Sequence, residues 1–149
     1  MGMRHLRLIH TPGHTADGII VFTVDDRVVI AGDTMMPIPH IVRGDYARLT
    51  TSLRYIQELK PNFIVQGHGD VLLRGEVDEA IEANICYLDT IVQRVQEIVE
   101  RQEPVQHLRE IDIESCGLSR IPLDGMVSRI HINNVLSLYK TFSTAQEPS

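Results

Sequence analysis

Short apolar segments that lead into glycine-containing turns are the feature that most restricts how this chain can fold. Apolar, largely β-branched runs of this length predict strands, and they stand at residues 6–9, 19–22, 28–31 and 63–65. The runs Ile19–Phe22 and Val28–Ala31 are apolar at consecutive positions, which is typical of strands covered on both faces. The sequence therefore predicts a sheet that needs packing partners on its two sides.

Helical spacing of apolar residues replaces the strand pattern in the rest of the chain. It predicts helices over residues 46–59, 76–102 and 124–142, with an irregular loop over 35–44 and a mixed segment over 105–123. A chain of 149 residues is long enough for one domain with a real core. We therefore expect a single α/β domain over residues 1–149 and a flexible tail over residues 143–149.

Composition limits the classes of partner. The net charge is −6 and no basic patch stands out, so we expect no nucleic-acid partner. The apolar runs are too short for a membrane span, no export signal is visible at the start, and we expect a cytoplasmic protein. The two cysteines, Cys86 and Cys116, are far apart in the sequence, so a disulfide framework is not expected. Cys86 falls in an apolar helical pattern and is interpreted as a buried residue.

Three of the turns each present a side chain that can bind a metal ion. They are His14 in TPGHT, Asp33 in AGDT and His68 in GHG. Two imidazoles and a carboxylate suit zinc, iron or manganese. A single histidine or a Gly-Asp turn is a weak signal, whereas three in the same context at the ends of strands form a much stronger one.

These three motifs, in this order and at this spacing, resemble those of the metallo-β-lactamase-fold hydrolases. The resemblance is close over about residues 6–72 and looser over the helical remainder. It implies an αββα sandwich, a mixed sheet with flanking helices, and a metal site at one edge of the two sheets. It also implies that His14 binds a first metal, that Asp33 is the catalytic, metal-bridging carboxylate, and that His68 binds the second metal, with zinc expected and iron or manganese as alternatives.

The chain departs from that family in one respect. A full family site also needs an upstream HxHxDH motif, and this sequence contains none. The resemblance therefore covers the C-terminal half of the fold, a truncated domain. Since the missing half would normally cover one side of the sheet, we expect either a homo-oligomer, a dimer in the simplest case, or pairing with a separate N-terminal half.

Two functions stay open at this point. The resemblance implies that the complete fold is a metal-dependent hydrolase in which activated water attacks an ester, thioester, lactam or lactone bond of a small molecule, whereas activity of this chain by itself is left open. The alternative is a non-catalytic assembly or interaction module with a vestigial or single-metal site.

Several further residues have more than one interpretation. Thr15 and Thr34 are either supports for the metal ligands or ordinary turn residues. His40 is interpreted as a surface residue rather than part of a substrate pocket. For His131, on the last helix, packing or exposure is favoured over metal binding.

Overall fold

A computed structural model describes residues 3–146 as a four-stranded mixed sheet, three helices and connecting 3₁₀ turns. The strands are β1 (Leu6–His10), β2 (Ile19–Thr23), β3 (Val28–Gly32) and β4 (Phe63–Gln66), and the helices are α1 (Tyr46–Glu58), α2 (Val77–Glu100) and α3 (Met126–Gln146). The 3₁₀ turns lie at Val105–Glu110, Glu114–Cys116 and Pro122–Gly125. Every predicted strand and helix is present within about four residues of its expected ends, and the predicted α/β fold class is confirmed.

The order of the strands in the sheet is β1-β2-β3-β4. β2 is antiparallel to both β1 and β3, and β4 is parallel to β3. The strands β1, β3 and β4 therefore run in the same direction, and their C-terminal ends lie at the same edge of the sheet. This is the edge to which the three motif turns belong.

One face of the sheet packs against the helices. Its side chains include Ile20, Phe22, Val29 and Ile64, all of which are buried in one core with the apolar faces of α1, α2 and α3. Alternate strand residues share a face, so this core accounts for only half of the apolar residues that the strands carry. The helical part of the chain therefore covers one side of the sheet, as the sequence predicts.

The opposite face, which we call the open sheet face, is exposed. The register places Leu8 beside Val21, Val21 beside Ile30, and Ile30 beside Val65. Its side chains therefore form one continuous surface across all four strands, made of Leu6, Leu8, His10, Ile19, Val21, Thr23, Val28, Ile30, Phe63 and Val65. Among its most exposed large apolar side chains, the exposed fraction runs from 38 % at Phe63 to 73 % at Leu8. A contiguous apolar surface of this kind is unusual for a soluble monomer.

The prediction for Cys86 is wrong, because this cysteine is exposed on α2 whereas Cys116 is buried. The apolar face of α2 is formed by its neighbours Ile85, Tyr87 and Leu88, and Cys86 points away from it.

Towards the C-terminal end of the chain, α3 continues through Gln146. Residues 147–149 lie outside the described residues, so the flexible tail stays a prediction. None of the helices within residues 3–146 is both long and apolar enough to cross a membrane.

Candidate metal centre

The Asp33 carboxylate lies between the two predicted histidine ligands. The Nε2 atom of His14 is 3.5 Å from Oδ2 of Asp33, and the Nε2 atom of His68 is 3.6 Å from Oδ1. Each imidazole therefore faces a different oxygen of one carboxylate. His14 is the least exposed of the three side chains, at 21 %, and His68 the most exposed, at 56 %.

These two separations fit shared metal ligands better than hydrogen bonds. A good N–H···O hydrogen bond spans about 2.7–3.2 Å. Two ligand atoms that each lie about 2.1 Å from one tetrahedral zinc ion are about 3.4 Å apart. The donor set is also one that zinc, iron and manganese accept.

His14 is held in the tautomer that metal binding requires. Its Nδ1 atom lies 2.8 Å from the backbone oxygen of His40, and because a carbonyl oxygen only accepts, Nδ1 carries the proton. In the neutral ring the lone pair is then on Nε2, the nitrogen 3.5 Å from Asp33. A lone pair next to a carboxylate is unfavourable unless a proton or a cation lies between them. Hydrogen bonds of this kind commonly orient histidine ligands.

The His14–Asp33 and His68–Asp33 pairs do not form a complete ligand set for a metal ion. Across residues 3–146, no group of three or more histidine, cysteine, aspartate and glutamate side chains converges on one point where a metal ion would fit. The arrangement instead offers one imidazole and one shared carboxylate oxygen at each of two positions. The residues present therefore fit part of a two-metal site, and each ion would need further ligands.

Glycine at position 67 leaves room for the carboxylate. A Cβ atom on Gly67 would lie 2.1 Å from Oδ1 of Asp33 and 2.7 Å from the carbonyl carbon of Gly32. The Gly67 N–H donates to the oxygen of Gly32 over 2.8 Å, which joins the turn after β4 to the end of β3. The GHG motif thus brings His68 close to Asp33 because its first residue has no side chain.

The hydroxyls of the two threonines contact residues of the turns. The Thr34 hydroxyl lies 3.1 Å from that of Thr11, in a buried position. The nearby Thr15 hydroxyl lowers the pKa of the Asp17 carboxyl. Their contacts favour the interpretation that they shape the turns.

Two other histidines have different surroundings. His40, interpreted as a surface residue, is half-buried, and its ring centroid is 5.3 Å from that of His14. Burial lowers the pKa of His40, the nearby His14 lowers it further, and Asp33 acts in the opposite direction. His131 is buried away from these residues and bonds Tyr87 and the backbone of Ile111, so packing is the correct interpretation. The sequence does not reveal the contact that His40 makes with His14, because it is made by the backbone oxygen of His40 and not by its side chain.

Comparison with known proteins places these residues in a family. A sequence model of the metallo-beta-lactamase superfamily matches residues 1–68, a stretch that includes His14, Asp33 and His68. The chain is 30 % identical over 108 residues to a "Beta-lactamase-like protein 2 homolog" of Caenorhabditis elegans, covering 72 % of this chain and 35 % of the relative. It is 30 % identical over 120 residues to the homolog of Drosophila melanogaster, covering 79 % of this chain and 39 % of the relative.

A solved structure shows the same fold. The crystal structure of a metallo-beta-lactamase family protein from Thermus thermophilus matches with a TM-score of 0.64 at 15 % identity, over 95 % of this chain and 45 % of that one. The chain thus spans little more than a third of the curated relatives and less than half of this structure. Motifs, fold and relatives agree, and the chain belongs to the metallo-β-lactamase superfamily.

Proposed function

We propose that this chain contributes one half of a metal-dependent hydrolase site, in which His14 and His68 bind different metal ions and Asp33 bridges them. The observation that carries the proposal is the shared carboxylate, whose two oxygens lie 3.5 and 3.6 Å from the two imidazoles. Zinc is the metal proposed, with iron or manganese as alternatives. The metals, when bound, lower the pKa of water and polarise the bond that is attacked.

The chain's own residues have defined tasks in such a site. His14 offers Nε2 because its Nδ1 proton is held by the His40 carbonyl. Asp33 supplies negative charge that favours two cations close together. His40, whose pKa is lowered by burial, lies beside His14 with its ring centroid 5.3 Å away. The substrates proposed are small molecules with an ester, thioester, lactam or lactone bond.

We propose that the remaining ligands come from a partner that covers the open sheet face. We propose that this partner is a second copy of the chain or a separate N-terminal half of the fold. Five of the large apolar side chains on this face are more than a third exposed, and burying the exposed part of each would contribute about 1 kcal/mol. That sum of about 5 kcal/mol is comparable to the lower range of what association costs, so other contacts must add to it.

Zinc binding tests the ligands. We expect His14→Ala and His68→Ala to weaken zinc binding, measured by equilibrium dialysis of the full chain, by at least about tenfold. His107→Ala is the matched control, because His107 pairs with Glu103 on the surface and should not change zinc binding. Equal losses in all three variants, or no loss in any, would contradict the assignment.

The second candidate function is the interaction module, which the open sheet face favours. Ile30 is 47 % exposed on that face, and Ile132 is 57 % exposed on α3. If the face is an interface, Ile30→Lys should weaken association by more than about a hundredfold, because burying a charge costs several kcal/mol. Ile132→Lys should leave the mass in solution unchanged. A chain that associates in this way but binds none of zinc, iron and manganese would be a module and not a hydrolase.

A further inference from the structure

A buried asparagine on α3 holds the loop that orients His14. Asn134 is fully buried and lies 95 positions from Pro39 in the sequence. Its side-chain NH₂ donates to the backbone oxygen of Pro39 over 2.7 Å, and its Oδ1 accepts from the backbone N–H of Ile41 over 3.0 Å. The asparagine therefore bonds the backbone on both sides of His40.

One of these bonds acts on the peptide unit that contacts His14. The N–H of Ile41 and the C=O of His40 belong to the same peptide plane, which is trans and rigid. Its N–H donates to Asn134, and its C=O accepts the Nδ1 proton of His14 over 2.8 Å. Fixing one end of this plane fixes the direction of the other.

The amide of Asn134 is itself held in one orientation. Its NH₂ group also donates to the Tyr87 hydroxyl over 3.3 Å, and that hydroxyl lies 3.0 Å from Nδ1 of His131. Nε2 of His131 donates to the backbone oxygen of Ile111 over 2.7 Å, so in the neutral ring Nδ1 accepts from Tyr87. Each donor in this series of hydrogen bonds has an acceptor, which leaves one orientation of the Asn134 amide.

We propose that Asn134 is a positioning residue for the candidate metal centre, acting through the peptide between residues 40 and 41 to keep His14 protonated on Nδ1 and free on Nε2. This inference rests on the proposed function for its purpose, although the hydrogen-bond chain does not depend on metal. The residue touches neither a ligand nor a reacting atom, so its effect reaches His14 only through the loop backbone.

The tautomer of His14 gives a direct readout that does not need activity. In the full chain at about pH 8, where an ordinary histidine is neutral, long-range ¹H–¹⁵N NMR should show His14 protonated on Nδ1. We expect Asn134→Leu to give a mixture of tautomers and to weaken zinc binding about 10- to 100-fold. Asn134→Asp keeps an oxygen that can accept from the Ile41 N–H, and should therefore retain more of the Nδ1 tautomer and of the zinc affinity than Asn134→Leu.

Asn84→Leu is the matched control. Asn84 is also buried, on α2, but its side chain donates to Ala80 of its own helix. This variant should be destabilised while keeping the His14 tautomer and zinc affinity of the natural chain. Equal effects of Asn84→Leu and Asn134→Leu on His14 would overturn the proposal.

The outcomes also separate this inference from the proposed function. If the natural chain binds no zinc and Asn134→Leu still changes the tautomer, the positioning role stands and the metal function fails. If zinc binds and Asn134→Leu changes neither readout, the positioning role fails and the metal function stands. If Asn134→Leu does not fold, the His14 tautomer of the natural chain still tests the proposal. His14 protonated on Nε2 in that NMR measurement would contradict it.

Discussion

Gly67→Ala is the smallest change that should disturb the candidate metal centre. The added methyl group would lie 2.1 Å from Oδ1 of Asp33, 2.7 Å from the carbonyl carbon of Gly32 and 2.8 Å from the backbone nitrogen of Asp33. Two of these three atoms belong to the backbone, so a side-chain rotation cannot remove the clash. The turn after β4 and the end of β3 must move apart.

The size of the effect follows from the geometry. Moving Oδ1 from 2.1 Å to an ordinary contact of 3.4 Å requires a displacement of about 1.3 Å, whereas metal sites tolerate deviations of about 0.2 Å in ligand distances. Overpacking of this kind costs about 1–3 kcal/mol. For a domain of this size, each 1 kcal/mol lowers Tm by roughly 2–4 °C. We therefore expect a moderate loss of stability and a zinc affinity at least about tenfold weaker.

The assay compares urea unfolding and zinc binding in Gly67→Ala and Gly75→Ala. A Cβ on Gly75 would meet open space, but its φ of +105° makes alanine strained, at a cost on the order of 1–3 kcal/mol. The two variants should lose a similar amount of unfolding free energy, and only Gly67→Ala should bind zinc more weakly. Normal zinc affinity in Gly67→Ala would refute the placement of Asp33 in the centre.

Three further predictions concern other parts of the molecule. Cys86 should react with a thiol reagent in the folded chain and Cys116 only on unfolding, because Cys116 is buried and burial raises its pKa; equal rates measured by mass spectrometry would contradict this. Arg120 lowers the pKa of Glu114 from 4.5 to about 2. The pair of Arg120 with the ionised Glu114 therefore stabilises the fold fully above pH 4.5, and this stabilisation is lost as the pH falls through about 2. Glu114→Gln should therefore show a smaller drop in Tm over that interval, and an unchanged drop would refute the coupling. Tyr87→Phe should lower the free energy of unfolding by about 1–3 kcal/mol because it leaves buried partners unpaired, and a loss below about 0.5 kcal/mol in urea titration would argue against the buried chain of hydrogen bonds.

Local patterns in the sequence predict much of the fold and the three motif residues. The strand runs and the turns TPGHT, AGDT and GHG are continuous in the chain, and parallel directions of β1, β3 and β4 then suffice to bring His14, Asp33 and His68 to one edge. The apolar character of the open sheet face also follows from apolar residues at consecutive strand positions. The role of the three motif residues as metal ligands stays a prediction.

The parts that could not be predicted depend on contacts between distant residues. Asn134 acts on the backbone of residues 39–41, and backbone acceptors have no side-chain signature. Successive side chains on α2 point about 100° apart around the helix axis. The apolar pattern does not define the edge of the buried face closely enough to decide whether Cys86 lies inside or outside it. The environment of His40 depends likewise on how the loop folds back over His14.

We propose that His14, Asp33 and His68 belong to a metal site that a partner on the open sheet face completes. The most direct measurement is the metal content and the mass in solution of the same purified sample of the full chain, by elemental analysis and light scattering. We expect zinc, iron or manganese in an assembly larger than one chain. A metal-free, monodisperse monomer at micromolar concentration would contradict it.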